Sequence, residues 1–357
     1  MRRNPRFSKS PSRRKKGGGW RWLLVLAVLA AAAWFWWRHE HPTKVVRPPA
    51  AKVVAPRLRS FIVAPELPSD FPRPVRDVFE AQVALARRAI SSGSIDAALG
   101  SQTRRAISVF QETQHLPVTG ALNADTRARL MLAAPLMTTY VVTADDLARL
   151  QPLGKTWLAK SQQTALEYET ELELVAEKSH SHPELIRRLN LGVNWTNIAA
   201  GTVLHIPDVD YPAASNKAAF AVIHLADKFL EAFDTETNLL AHFPCSIAAN
   251  VEKRPVGELH VVVIIPKNPN YTFHPELFPE SPEAKTLDHE LILPPGPNNP
   301  IGVAWIGLDK TGYGIHGTPV PEQVGRTESH GCFRLANWDA EYLSKLVWVG
   351  MPVLVEP

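Results

Sequence analysis

The chain has 357 residues, 45% of them hydrophobic and 21% charged, which suits two or three folded domains and excludes a disordered chain. The net charge of +4 is an end effect, since nine of 39 Lys and Arg residues fall in the first 21 positions and leave 30 basic against 35 acidic residues beyond. That balance excludes a nucleic-acid binder with a basic face, and two cysteines exclude a disulfide-rich scaffold or a four-cysteine zinc site.

Residues 1–21 read as a basic cytoplasmic tail, and the apolar run WLLVLAVLAAAAWFWW at 22–37 predicts a transmembrane helix. Sixteen helical residues rise about 24 Å, slightly less than a hydrocarbon core of roughly 30 Å. Trp20, Arg21, Trp34, Trp36 and Trp37 extend the run into the two interfaces. The basic tail predicts a single-pass protein of the cell inner membrane with its carboxyl-terminal bulk in the periplasm. A competing reading is a cleaved signal peptide, with Ala31 and Ala33 as small residues for the peptidase, which would release the chain to the periplasm. Residues 38–76 carry eight prolines and little periodicity, so they predict an extended linker.

Residues 78–134 turn helical. Val83, Leu85, Ala86, Ala89 and Ile90 precede a break at Ser91-Ser92-Gly93, and Ile107, Val109 and Phe110 form a second stripe. SIDAALGSQTRRAI from Ser94 aligns with PVTGALNADTRARL from Pro117, matching Leu99 to Leu122, Thr103 to Thr126 and Arg104 to Arg127. Each copy predicts a loop and then a helix, with Ser101 or Asp125 near the start as a cap. With the pair Phe110-Gln111 and the loop at Gly120, the segment resembles the small three-helix peptidoglycan-binding module; a helical spacer is the plainer alternative.

Residues 138–210 predict a strand at Tyr140-Val-Val, helices at Leu172 to Lys178 and Glu184 to Leu189, and a closing strand at Gly201 to Pro207. That order, with LIRRLN and AGTVLHIP, resembles a small α+β lysin-motif (LysM) module that binds glycan. It departs by a long insertion around Thr156 to Glu169 and by lacking Gly-Asp-Thr after the first strand, so an interdomain connector is the alternative.

Residues 217–357 are β-rich. Phe220 to His224 and Phe229 to Phe233 predict a hairpin around Ala226-Asp227-Lys228. His260 to Ile265, Val303 to Ile306, Tyr313 to His316, and Val347 to Val355 with a break at Gly350-Met-Pro are further expected strands of a sandwich or barrel-like sheet. One helix is expected after Asn337 as its cap, with Asp339 and Glu341 in the first turn and Leu343, Leu346 and Val347 as its apolar stripe.

The chemistry concentrates in GYGIHGTPVPEQVGRTESHGCFRLANWD, Gly312 to Asp339. A cysteine attacks as thiolate, and an ordinary thiol is only a few per cent ionised at neutral pH, so Cys332 needs a proton acceptor. His316 stands sixteen positions upstream across glycine-punctuated chain. Its second nitrogen needs a partner to fix the tautomer, and with no Asp or Asn in an obvious place a backbone carbonyl is the economical candidate.

IHGT followed by SHGCFRL, with fifteen residues between His316 and Cys332, resembles the signature of L,D-transpeptidases with the YkuD-type catalytic domain. RPVGELHV, NPNYTFHP and LPPGPNNPIG resemble upstream stretches of that family, with Arg254 where it has threonine. The resemblance implies a mainly-β catalytic domain with Cys332 as nucleophile, His316 as its base and the Gly317 carbonyl orienting His316. It gives Gly331, Ser329 and His330 to the oxyanion loop, with His330 bracing the loop. Arg334 and Tyr271 fall on the substrate side, with core or cleft wall as the plainer alternative for Tyr271; Arg334, in the Cys-hydrophobic-Arg variant of the motif, either meets a substrate carboxylate or braces the loop. The implied reaction releases D-Ala from a stem tetrapeptide and makes a 3→3 peptidoglycan cross-link without a cofactor. Hydrolysis of the thioester (an L,D-carboxypeptidase), attachment of a lipoprotein lysine, or an inert wall-binding protein are the alternatives. Cys245 reads as a packing residue, and Phe273 and Trp305 as core or cleft wall. His180 and His182 lack metal-site spacing, so no metal is expected.

Overall fold

The computed structural model describes residues 70–278 and 280–357, which belong to one compact unit. The expected tail, the anchor at 22–37 and the linker up to residue 69 lie outside the described residues. Among the described residues no helix is long and apolar enough to cross a membrane.

The first module runs β1 (Arg73–Pro74), α1 (Val78–Ala86), α2 (Ser101–Thr113), α3 (Ala124–Arg129) and β2 (Met131–Leu132), with β1 and β2 antiparallel. The half-repeats are two clamped loops. Gln82 accepts from the Asp96 and Ala97 amides and donates to Thr103 Oγ1, while Gln111 accepts from the Thr119 and Gly120 amides and donates to Thr126 Oγ1. Both glutamines are fully buried, so each loop is held by a satisfied side-chain amide, and the Phe110-Gln111 signal has its physical cause. The expected caps are corrected. A cap keeps extended dihedrals while its side chain reaches forward, and Asn123 does so for α3, whereas Asp125 is already helical. Before α2 stands Gly100 with no side-chain cap, so Ser101 is the first helical residue.

The second module is β3 (Met137–Val141), α4 (Ala144–Arg149), α5 (Trp157–Ser161), α6 (Glu171–Lys178), α7 (Pro183–Leu189) and β4 (Val203–Pro207), with β3 and β4 antiparallel from Met137↔Pro207 to Val141↔Val203. Its own core includes Leu172, Val175, Ile186 and Leu204. The insertion packs elsewhere: Leu166 and Trp157 join Phe273, Leu291 and Leu293 of the third module. Trp157 stacks on Phe273 at 4.3 Å, and the Trp157 and Leu158 amides donate to the Glu283 carboxylate at 2.8 Å.

The third module contains β5 (Phe220–His224), β6 (Phe229–Phe233), β7 (Leu239–Pro244), β8 (Gly257–Ile265), the small hairpin β9 (Tyr271–Phe273) and β10 (Leu291–Leu293), β11 (Trp305–Leu308), β12 (Gly314–His316), β13 (Phe333–Arg334), α8 (Asn337–Leu346) and β14 (Pro352–Glu356). Eight strands form one sheet in the order β13-β12-β11-β8-β14-β5-β6-β7. Its two edges meet where Ser246 and Arg334 exchange backbone hydrogen bonds at 2.8 and 2.9 Å, so the sheet closes barrel-like around a core that includes Ile306, Ile315, Phe333 and Leu343. The expected strand from Val347 is corrected. Val347 ends α8, its amide donating to the Leu343 carbonyl, and the chain turns at Gly350 (φ +98°) before β14 begins. Asn337 is also not the cap of α8; Ala336 holds that position without a side-chain bond.

Candidate active site

β12 and β13 are parallel, with Ile315 opposite Phe333 and His316 opposite Arg334. Side chains alternate along a strand, so Ile315 and Phe333 fill the core while His316 and Arg334 share the other face, with Cys332 in the bend that leads directly into β13. Trp305 of β11 pairs with His316 and stacks on its ring at 5.7 Å. Gly314 leaves room for that indole, since a Cβ there would collide with it.

His316 is 5% exposed, and its Nδ1 lies 2.6 Å from the Gly317 carbonyl oxygen. A carbonyl only accepts, so Nδ1 carries the proton and Nε2 keeps its lone pair. Burial pushes the His316 pKa down to about 4, against the Gly317 carbonyl, which raises it, so the ring is neutral at pH 7. The carbonyl that the sequence argument left unnamed is thus the one the family resemblance implies. What holds that carbonyl was not legible: the buried Asn337 accepts from the Thr318 amide at 2.9 Å and the Val303 amide at 3.3 Å. The signal for it lay in Gly302 and Gly317, where a Cβ would strike the Asn337 amide oxygen.

Cys332 is partly exposed and free, its Sγ donating to the Gly312 carbonyl at 3.4 Å. Burial raises its pKa, while a bond from the Gly314 backbone and the Arg334 charge lower it. Burial lowers the Arg334 pKa, and both thiols oppose that; its buried Nε has no hydrogen-bond partner among the described residues. Cys245 is also free, fully buried, and pushed up to about 12 by that burial, which fits packing.

Ser329 is buried, and its hydroxyl donates to the Cys332 carbonyl at 2.5 Å while its amide donates to Ile247 at 2.8 Å. His330 points outward, 3.3 Å from Glu280 and edge-on to Phe278, away from any base role. Gly331 sits near the Tyr313 ring, whose hydroxyl donates to the Lys253 carbonyl at 2.9 Å. Burial and the nearby Cys332 push Tyr271 up to about 12, so its phenol stays protonated beside the sulfur. Phe273 is fully buried under Trp157. Of the metal-capable groups among the described residues, His274, Glu276 and Glu290 bring ligand atoms within 4.8 Å of one another, and none of the three is a residue of the Cys332 site.

Residues 218–355 match the family described as "L,D-transpeptidase catalytic domain", and residues 75–130 match "Putative peptidoglycan binding domain". The chain is 25% identical over 187 residues to "Putative L,D-transpeptidase YkuD" of Bacillus licheniformis, covering 52% of this chain and 93% of that protein. It is 30% identical over 165 residues to "Probable L,D-transpeptidase YbiS" of Escherichia coli K12, covering 46% of this chain and 53%, about half, of that one. Among solved structures, L,D-transpeptidase 3 from Mycobacterium tuberculosis aligns with 45% of this chain and 77% of its own at 16% identity and a TM-score of 0.31.

Proposed function

We propose that this chain, an L,D-transpeptidase by its catalytic domain, builds 3→3 cross-links in peptidoglycan through a thioester on Cys332. The observation that carries the reading is the pairing of His316 on β12 with Arg334 on β13, two residues after Cys332, with His316 Nδ1 bound to the Gly317 carbonyl and Nε2 left as the base. Cys332 Sγ attacks the carbonyl between the third residue and the terminal D-Ala of a stem tetrapeptide as Nε2 takes its proton. The tetrahedral oxyanion meets the backbone amides around Gly331 and Cys332, a donor type worth about 3 kcal/mol in a preorganised site. Collapse breaks the peptide bond, and the imidazolium returns the proton to the departing D-Ala amine. The side-chain amine of a neighbouring stem then attacks the thioester, gives up its proton through His316, and restores the thiol with a new amide bond.

Ser329 supports the loop that presents Cys332, and His330 braces it from outside. Arg334 stabilises the thiolate and supplies a cation for a stem carboxylate, with Tyr271 as a wall of the donor site. The first module delivers the domain to peptidoglycan, and the β3–β4 module, LysM-like in its order of elements, adds a glycan contact. The apolar run at 22–37 holds the chain in the inner membrane with these modules in the periplasm.

The test incubates the full chain, wild type and Cys332→Ala, with disaccharide-tetrapeptide and follows products by mass spectrometry. A dimer that has lost one D-Ala, absent with Cys332→Ala, is the expected result. Tripeptide without dimer would move the reading to an L,D-carboxypeptidase, and unchanged substrate would overturn both.

A further inference from the structure

The peptide unit joining Gly317 to Thr318 is pinned at both ends. Its carbonyl oxygen accepts from His316 Nδ1 at 2.6 Å, and its N–H donates to Asn337 Oδ1 at 2.9 Å. The tautomer of His316 therefore depends on which way the Asn337 amide faces. Asn337 is 1% exposed, and the glycines at 302 and 317 leave its amide oxygen only the space it fills. An amide can sit either way round unless its neighbours choose, and here they do. Asn337 Nδ2 faces Glu177 Oε1 at 3.0 Å, Glu177 Oε2 at 3.1 Å and the Pro297 carbonyl at 3.2 Å. Pro297 can only accept, and Glu177, whose pKa burial pushes up to about 8, keeps an accepting oxygen in either protonation state, so the NH2 end takes that side and the oxygen faces Thr318.

Glu177 does not belong to the catalytic module. It comes from α6 of the second module, where Tyr168 donates to its carboxylate at 3.2 Å. We infer that Glu177 is a positioning residue for the transpeptidase reaction: through Asn337 and the Gly317–Thr318 peptide it fixes His316 in its basic tautomer. The catalytic module thus reaches its working geometry only with the second module docked on it. This inference rests on the reading of His316 as the base. Without Glu177 the Asn337 amide keeps Pro297 as its one acceptor on that side. With only the Thr318 and Val303 amides and the Pro297 carbonyl left to orient it, Asn337 holds the peptide less firmly, and His316 Nδ1 loses a tightly fixed acceptor. Partners one step removed from a working imidazole typically change its performance by about tenfold or more when deleted.

The test uses the full chain with 15N-labelled histidine as wild type, Glu177→Ala and Glu177→Gln, with the His316 resonances assigned by their loss in His316→Gln. The glutamine keeps an acceptor for Asn337 Nδ2; the alanine does not. Expected is a pure Nδ1–H pattern in wild type and Glu177→Gln, and a mixed-tautomer pattern in Glu177→Ala. With disaccharide-tetrapeptide, Glu177→Ala should lower kcat about tenfold at unchanged KM, and Glu177→Gln should stay within about twofold of wild type. If Glu177→Ala does not fold, Glu177→Met keeps the buried stem without an acceptor and takes its place. Three results would each overturn the inference: an unaltered His316 tautomer in the variant without an acceptor, a change in KM alone, or Glu177→Gln as impaired as the alanine. The tautomer is read without turnover, so a wild-type chain inactive on tetrapeptide would count against the proposed reaction and leave this measurement standing.

Discussion

Many thiol enzymes rest as a thiolate–imidazolium pair; this one should rest neutral. Burial pushes His316 down to about 4 and raises Cys332 above the ordinary thiol value, so the imidazole is the weaker base of the two. Moving the proton from sulfur to nitrogen therefore runs uphill, by about 1.36 kcal/mol for each pKa unit between them, before the two charges attract. In direct contact at an effective dielectric near 20, that attraction returns about 4 kcal/mol. The downward shift at His316 and the upward shift at Cys332 together make the neutral pair the resting state and leave the ion pair a small minority. Both states hold the same number of protons, so this small population forms a low shelf that does not change with pH. Above it, thiolate beside neutral His316 grows as pH rises. The assay is alkylation of the full chain by iodoacetamide from pH 5 to 9.5, read as the mass gained at Cys332. The rate at pH 9.5 should exceed that at pH 6 by roughly fivefold or more, and His316→Ala should abolish the shelf. A flat, fast rate from pH 5 to 9 would mean a preformed ion pair and refute the reasoning. The His316 value also sets the acid limb: with His316 as the proposed base, turnover should persist as pH falls through 6 and fail only near 4.

Trp157→Ala removes a half-buried ring stacked at 4.3 Å on Phe273, a loss of about 2 kcal/mol, and amide exchange across β9 and β10 should quicken by about thirtyfold. Unchanged exchange there would mean that the insertion does not brace the hairpin. Cys245→Ala should lower the melting temperature by about 2 °C and leave turnover intact; lost turnover in a folded variant would refute its assignment to packing. Arg73→Ala strands the buried Glu80 carboxylate, which Arg73 holds with two bonds of 2.8 Å, and should cost about 3 kcal/mol in urea denaturation. A loss under about 1 kcal/mol would mean that Glu80 finds other partners.

The legible parts were those written in adjacent residues. Alternation marked β5 and β6 around the turn at Ala226 to Lys228, and an apolar stripe marked α2. The spacing of His316 and Cys332 carried the site because a strand end and a neighbouring loop can be matched by pattern alone. The cap positions failed by one or two residues because Asn, Asp and Ser all satisfy the rule, and only the dihedrals show which one stands outside the helix. β14 was drawn too long because Val347 is apolar in either state. Its true partners, β5 on one side and β8 on the other, lie far away in sequence.

Asn337 is the instructive miss. Asn before a helical stripe reads as a cap, and the local rule offers no reason to doubt it. Its amide is instead used between modules, with the oxygen toward the Thr318 amide and the nitrogen toward Glu177, 160 positions upstream. The insertion at Thr156 to Glu169 was misleading for a related reason: judged against the module that contains it, it looked like a defect. Leu166 exchanges backbone bonds with Pro295 and Asn298 at 2.8 and 3.0 Å, and Gly296 has no space for a Cβ beside the Leu166 carbonyl, so the segment is fitted to the third module. A resemblance scored module by module cannot see residues whose partners are in the next module. Here those residues reach both the hairpin that carries Tyr271 and the peptide that holds His316, so the second module is joined to the candidate site at two separate points.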